Sequence, residues 1–257
     1  MCELFGLSSK EPYPVQDALQ QFFSHSVYHP HGWGLMRTHL GKRQIVKEPA
    51  CAAESRRLPR VIADTEPQKV CMAHIRLATI GSIRPANCHP YSGIDKSGRT
   101  WILMHNGTVF SGNQLMPYYA TQQGDTDSER ILLYLLDEMN RVIEKEGALS
   151  PGVRFAIVDQ CITDLAPRNK LNLIFYDGEL LYVHKNMQDT LYYKKLSTEH
   201  GLLFATQPLD NSVDWQSFPM TRLMAFQDGE CMYKGTVHHH IFIPPLDYIT
   251  PQDAMHI

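Results

Sequence analysis

The chain opens Met1-Cys2-Glu3-Leu4-Phe5-Gly6-Leu7-Ser8-Ser9, and the reading of this stretch decides the fold. Leu4, Phe5 and Leu7 are apolar and two seryl breakers follow, so residues 2–8 read as a strand that begins inside a sheet. Cys2 stands at the start of that strand with only the initiator ahead of it. Its side chain is small enough for cytosolic processing to remove Met1, which leaves one residue carrying both a thiol and a free α-amine. Unperturbed, such an amine titrates at about 7.7–8.0 and a cysteine thiol at about 8.5. Near neutral pH the amine can accept the thiol's proton, the pairing of nucleophile and base found where the nucleophile is the N-terminal residue. A Met-Cys start also arises by chance, so the rest of the chain has to supply the reaction.

Length and composition exclude several classes. The 257 residues are 43% apolar and 20% charged, which suits one large domain or two small ones. Both halves contain strands that need covering, so a single domain over 1–257 is the simpler expectation. The net charge is −3 and there is no Lys/Arg cluster, which argues against a nucleic-acid surface or a basic membrane-binding face. The apolar runs are too short to span a membrane, and the N-terminus lacks the basic-then-apolar pattern of a signal peptide. Cys2, Cys51, Cys71, Cys88, Cys161 and Cys231 are scattered without a Cys-x-x-Cys pair. That is a poor disulfide framework or zinc site, and it suits the reducing cytoplasm. His238-His239-His240 runs into Ile241-Phe242-Ile243 and reads as a strand end with solvated histidines. No metal and no cofactor are assigned.

Periodicity supplies the elements. Val15, Leu19, Phe22, Phe23 and Val27 have helical spacing over residues 15–28, and a hairpin follows through Gly34–Met36, a Leu40-Gly41 turn and Gln44–Val46. Lys69–Leu77 and Thr100–Met104 are continuous apolar runs, expected of strands covered on both faces. The clearest helix spans 128–146, with Ile131, Leu132, Leu135, Leu136, Met139, Val142 and Ile143 on one stripe. Thr126 and Glu129 form a capping box at its start and Gly147 closes it. A second helix is expected over 152–165. After Pro167 come strands joined by Asp-Gly turns at Asp177-Gly178 and Asp228-Gly229. Strands, two long helices, then strands again suggest layered sheets between helices rather than a doubly wound βαβ fold.

A cysteine attacking an amide needs donors for the oxyanion and charges for the substrate's ends. Asn106-Gly107 follows an apolar strand; its amide and backbone N–H can converge on one oxygen, and the same dipeptide is also a strong turn signal. Arg76 sits at the end of an apolar strand, where a guanidinium needs a carboxylate from the protein or from a substrate. Asp127 lies in the first helical turn, either complementing the helix dipole or gripping a substrate ammonium.

Taken together, Cys2, His74-Ile75-Arg76-Leu77-Ala78-Thr79, Asn87-Cys88-His89-Pro90, His105-Asn106-Gly107 and Thr126-Asp127-Ser128-Glu129 resemble the class II glutamine amidotransferase (glutaminase) family in order and spacing. The resemblance spans about half the chain. It implies an α+β fold of N-terminal-nucleophile hydrolase type, a four-layer αββα sandwich of two mainly antiparallel sheets. It also implies that Cys2 is the nucleophile, forming a thioester intermediate, with its α-amine as base. Asn106 and Gly107 would form the oxyanion hole, Arg76 would hold the glutamine carboxylate, Asp127 its ammonium, and Thr79 a further substrate contact. Pro30-His31-Gly32-Trp33-Gly34 resembles the family's mobile glycine-containing loop, with Trp33 over the bound substrate.

Leu77 and Ile80 depart from the glucosamine-synthase branch, which carries Trp and His there. The His31-Gly32 loop also lacks the Arg-Gly start common elsewhere. A glutaminase domain fills a chain of this length, so the expectation is a stand-alone member acting on glutamine or a γ-glutamyl small molecule. It would either pass ammonia to a separate synthase or cleave a γ-glutamyl bond in a larger metabolite or peptide. A catalytically silent glutamine-binding regulatory module is the reading from another class, and the bile-salt and penicillin amidase type is a weaker competitor.

Overall fold

The computed structural model describes residues 1–197 and 200–245. The first strand, β1, runs over Glu3–Tyr13, longer than its apolar start suggests. It is followed by α1 (Gln16–Ser24), the hairpin β2 (Trp33–His39) and β3 (Lys42–Glu48), and α2 (Leu58–Ala63). Next come β4 (Gln68–Ile75), β5 (Tyr91–Ile94), β6 (Thr100–Thr108), α3 (Asp127–Glu146) and α4 (Pro151–Leu165). The rest of the chain forms β7 (Lys170–Tyr176), β8 (Leu181–His184), β9 (Tyr192–Lys195), β10 (Gly201–Ala205), β11 (Gln216–Ser217), β12 (Met224–Gln227) and β13 (Glu230–Lys234).

One sheet has seven strands in the order β11-β9-β10-β1-β4-β2-β3; the other has six in the order β13-β12-β8-β7-β6-β5. All pairings among the described residues are antiparallel. Strand alternation sorts the side chains into layers. Phe5 and Leu7 of β1 pack outward with Leu19 and Phe22 of α1, whereas Leu4 packs inward with Met104 and Ile174 of the facing sheet. On the other side, Trp101, Leu103, Leu173 and Phe175 pack outward against α3 and α4. Three apolar layers therefore separate helix, sheet, sheet and helix, which is the expected αββα sandwich.

The caps show what local sequence does and does not dictate. Thr126 Oγ1 accepts the Glu129 N–H at 3.2 Å, but the Glu129 carboxylate accepts the Gln123 and Gly124 N–H groups instead of completing a box. Gly147 closes α3 at a φ of 78°. Asp228 and Gly229, both at positive φ, make the tight turn between β12 and β13.

Two local expectations change. Residues 25–28 tighten into a 3₁₀ turn, so the first helix is shorter than its apolar spacing implied. Of the His238–His240 run only the last two are exposed: His238 is buried and lies in no strand, its Nε2 2.9 Å from His184 Nε2. Its contact with the buried His184 ring draws that side chain inward, which a run of identical polar residues does not reveal. No helix among the described residues is long and apolar enough to cross a membrane.

Candidate active site

Register brings the chemistry to one end of the inter-sheet layer. β1 and β4 pair with Glu3 opposite Ile75 and Leu4 opposite His74, which carries Cys2 to the level of Arg76. Met104 and Ile174 face the layer between the sheets, so by period-two alternation Asn106 and Lys170 face it too. The Asn106-Gly107 dipeptide is not a turn: β6 continues through it, with Asn106 opposite Asn172 and Gly107 opposite Leu171.

Cys2 and Asn106 border one cavity of about 170 Å³, lined also by Met1, Glu3, His29, Met187, Gln188, Asp189, Thr190, Thr206 and Gln207. The half-buried Cys2 donates its thiol hydrogen to the Leu77 carbonyl at 3.4 Å. Burial raises its thiol pKa, opposed by the adjacent N-terminal amine, the Leu77 bond and the charges of Arg76 and Lys170. The N-terminal amine, here that of Met1, is lowered by burial to about 6. Asn106 Oδ1 accepts from Lys170 Nζ at 3.1 Å, and its Nδ2 is buried without a partner among the described residues.

The residues expected to read the glutamyl end lie outside that cavity's lining and already have protein partners. Arg76 donates to the carbonyls of Ile80, Gly81 and Ser82, at 2.9, 3.1 and 3.0 Å. Asp127 accepts the Val109 N–H at 2.7 Å and the Ser128 N–H at 2.9 Å. Thr79 Oγ1 lies 3.2 Å from Thr108 Oγ1, just beyond Gly107.

The loop residues divide. His31 Nδ1 accepts the Ala78 N–H at 2.9 Å, and backbone bonds join His31 to Arg76 and Arg76 to Gly32. His31 and Gly32 thus brace the segment that follows Arg76. Trp33 does not reach the site. It is fully buried on the helix side of the sheet, edge-on to Phe23, with its indole N–H on Glu48 Oε2 at 3.0 Å. As the first residue of β2 it takes the strand's outward face, which a glycine-rich motif does not show.

Sequence reasoning missed Lys170, Glu3 and His29. Glu3 is buried and pairs with His25 Nδ1 at 2.9 Å, and this bond raises the His25 pKa. His29 lies 3.8 Å from the same carboxylate, and burial lowers its pKa. For Lys170 a signal existed: it stands an even number of residues before Ile174, so inward-facing alternation points its ammonium between the sheets.

A cysteine beginning the central strand of an αββα sandwich defines an amidohydrolase of the N-terminal-nucleophile class. A family model described as class-II glutamine amidotransferases matches residues 1–199, and the chain belongs to that family. An uncharacterized protein of Methanocaldococcus jannaschii is 31% identical over 271 residues, covering 91% of this chain and 72% of that protein. The gamma-glutamyl-hercynylcysteine sulfoxide hydrolase of Mycolicibacterium smegmatis is 26% identical over 180 residues, covering 68% of this chain and 63% of its own. Among solved structures, the glutamine phosphoribosylpyrophosphate amidotransferase of B. subtilis shares the fold with a TM-score of 0.65 at 16% identity. That match covers 93% of this chain and 50% of the B. subtilis chain.

Proposed function

We propose that the protein, as a single domain over residues 1–257, hydrolyses the γ-amide of glutamine through a Cys2 γ-glutamyl thioester. The observation carrying this reading is that Cys2 and Asn106 border one cavity, with Asn106 Nδ2 buried and without a partner among the described residues. After Met1 is removed, the Cys2 α-amine takes the thiol proton and the sulfur attacks the γ-carbonyl carbon. The resulting oxyanion is held by Asn106 Nδ2 and the Gly107 N–H. The ammonium returns its proton to the leaving nitrogen as the C–N bond breaks, releasing ammonia. The same amine then deprotonates water, which attacks the thioester carbonyl; glutamate leaves and the thiol is restored. Arg76 binds the α-carboxylate, Asp127 the α-ammonium, and Thr79 flanks the pair, while His31 and Gly32 position the loop.

A second reading is cleavage of a γ-glutamyl bond in a larger metabolite or peptide; the cavity at Cys2 extends along Met187–Thr190 and Gln207, residues outside the set assigned to the glutamyl end. The hydrolase named in M. smegmatis has a substrate of that kind in its name. Ammonia released from glutamine would serve a separate synthase. The six unpaired thiols suit the reducing cytoplasm.

The test is glutamate release from glutamine and a panel of γ-glutamyl amides by the processed enzyme, beside Cys2→Ala. Release that depends on Cys2 supports the reading. Equal, negligible release from every compound would leave a silent glutamine-binding module instead.

A further inference from the structure

Lys170 is fully buried, and among the described residues it has no carboxylate partner. An unpaired ammonium in such a place is costly and is retained where it does something for the site. Its Nζ contacts two groups, Asn106 Oδ1 at 3.1 Å and the sulfur of Met1. The second of these leaves with the initiator.

An ammonium carries donors only, so the amide facing it must present oxygen, and Nδ2 is thereby turned the other way. We propose that Lys170 is a positioning residue of the hydrolytic reaction, fixing which way the Asn106 amide faces so that Nδ2 donates to the oxyanion. The bond also polarises the amide, because a charged donor on Oδ1 draws density from the nitrogen and strengthens its N–H as a donor. Burial lowers the Lys170 pKa to about 7, so the charge that orients the amide is about half present at neutral pH and fades as pH rises further. The backbone secures the geometry independently, since the Lys170 carbonyl is held by His105 Nε2 at 2.9 Å and Thr108 pairs opposite it.

This inference rests on the assignment of Asn106 to the oxyanion hole, and a double-mutant cycle separates the two. Lys170→Met keeps the stem and removes the charge, and Lys170→Gln gives a second neutral variant. Expected is a fall in kcat of roughly 10–100-fold for glutamine hydrolysis with KM little changed, the size seen when a partner that orients a functional ligand is lost. In an Asn106→Ala background the same Lys170 substitution should change kcat less than about threefold. An equal loss in both backgrounds would overturn the proposal, because Lys170 would then act without Asn106. Undiminished kcat in both neutral variants would overturn it too. Wild-type turnover by Asn106→Ala alone would instead remove the oxyanion assignment beneath it. Thermal midpoints report folding separately, and a neutral side chain in this apolar place is expected to hold or raise them.

Discussion

A Cβ placed on Gly107 would collide with the carbonyl oxygen of Lys170, the same oxygen that His105 Nε2 approaches to 2.9 Å. The position is therefore closed to any side chain, and the strand pairing of β6 with β7 depends on it. Gly107→Ala should lower the unfolding free energy by roughly 1–3 kcal/mol through overpacking. A shift in the urea midpoint with the slope unchanged is the expected signature, accompanied by loss of glutamate release.

On the proposed mechanism, Asn106→Ala removes one oxyanion donor while leaving the strand backbone in place. Such a donor is worth about 2.7–4 kcal/mol in the transition state, so kcat should fall on the order of 100–1000-fold. Steady-state glutamate release from glutamine measures it, and turnover at the wild-type rate would exclude Asn106 from the chemistry.

Arg76→Lys keeps a positive charge but loses the planar fork that suits a carboxylate. The KM for glutamine should rise roughly 10-fold or more, since about 1.4 kcal/mol corresponds to a factor of ten and a charge-assisted pair exceeds that. The discriminating measurement is a glutamine analogue without its α-carboxylate, whose slow turnover should be insensitive to the change.

His184 donates Nδ1–H to the Leu171 carbonyl at 2.6 Å, and the His240 N–H occupies Nδ1 of His238. The bond between their Nε2 atoms therefore needs one ring nitrogen bare, and a further proton breaks it. Burial lowers His184 to about 3, whereas an unfolded histidine titrates near 6.5. Between those values the unfolded chain binds the proton and the native one does not, so stability rises with pH there. On acidification the share of stability that His184 contributes should be lost from about pH 6.5 down to about pH 3, and His74 and His238, lowered by burial to about 3 and about 4, add losses of the same sign. Denaturant midpoints at pH 7 and pH 5 test this, and His184→Asn should make the difference between them smaller, the other buried histidines retaining the rest.

Retention of Met1 should abolish turnover, because the base would then be tied up in a peptide bond. Intact mass spectrometry sorts processed from unprocessed protein, and only the processed fraction should release glutamate. Activity that did not track that fraction would contradict a role for the α-amine of Cys2.

Much of this was legible because two periods govern the chain. The stripe from Ile131 to Ile143 gave α3, and the apolar runs at β4 and β6 gave the covered strands. Alternation also carries Asn106 and Arg76 inward once any neighbour's face is known. What stayed hidden depends on packing between elements distant in sequence. Trp33 looked like a loop aromatic until β2 turned it outward into the helix-side core. His238 lies beside His184 only because the chain after β13 returns to β8. Lys170 reads as an ordinary surface lysine unless the strand it begins is known to be covered on both faces.

Met1 occupies the wall of the cavity beside Cys2, and this has a practical reach beyond the cell. Any N-terminal extension, a purification tag included, keeps the amine of Cys2 inside an amide. On the proposed mechanism such a preparation should show no turnover. A laboratory that screened it would score an intact enzyme as inert. The handle for purification therefore belongs at the other end of the chain.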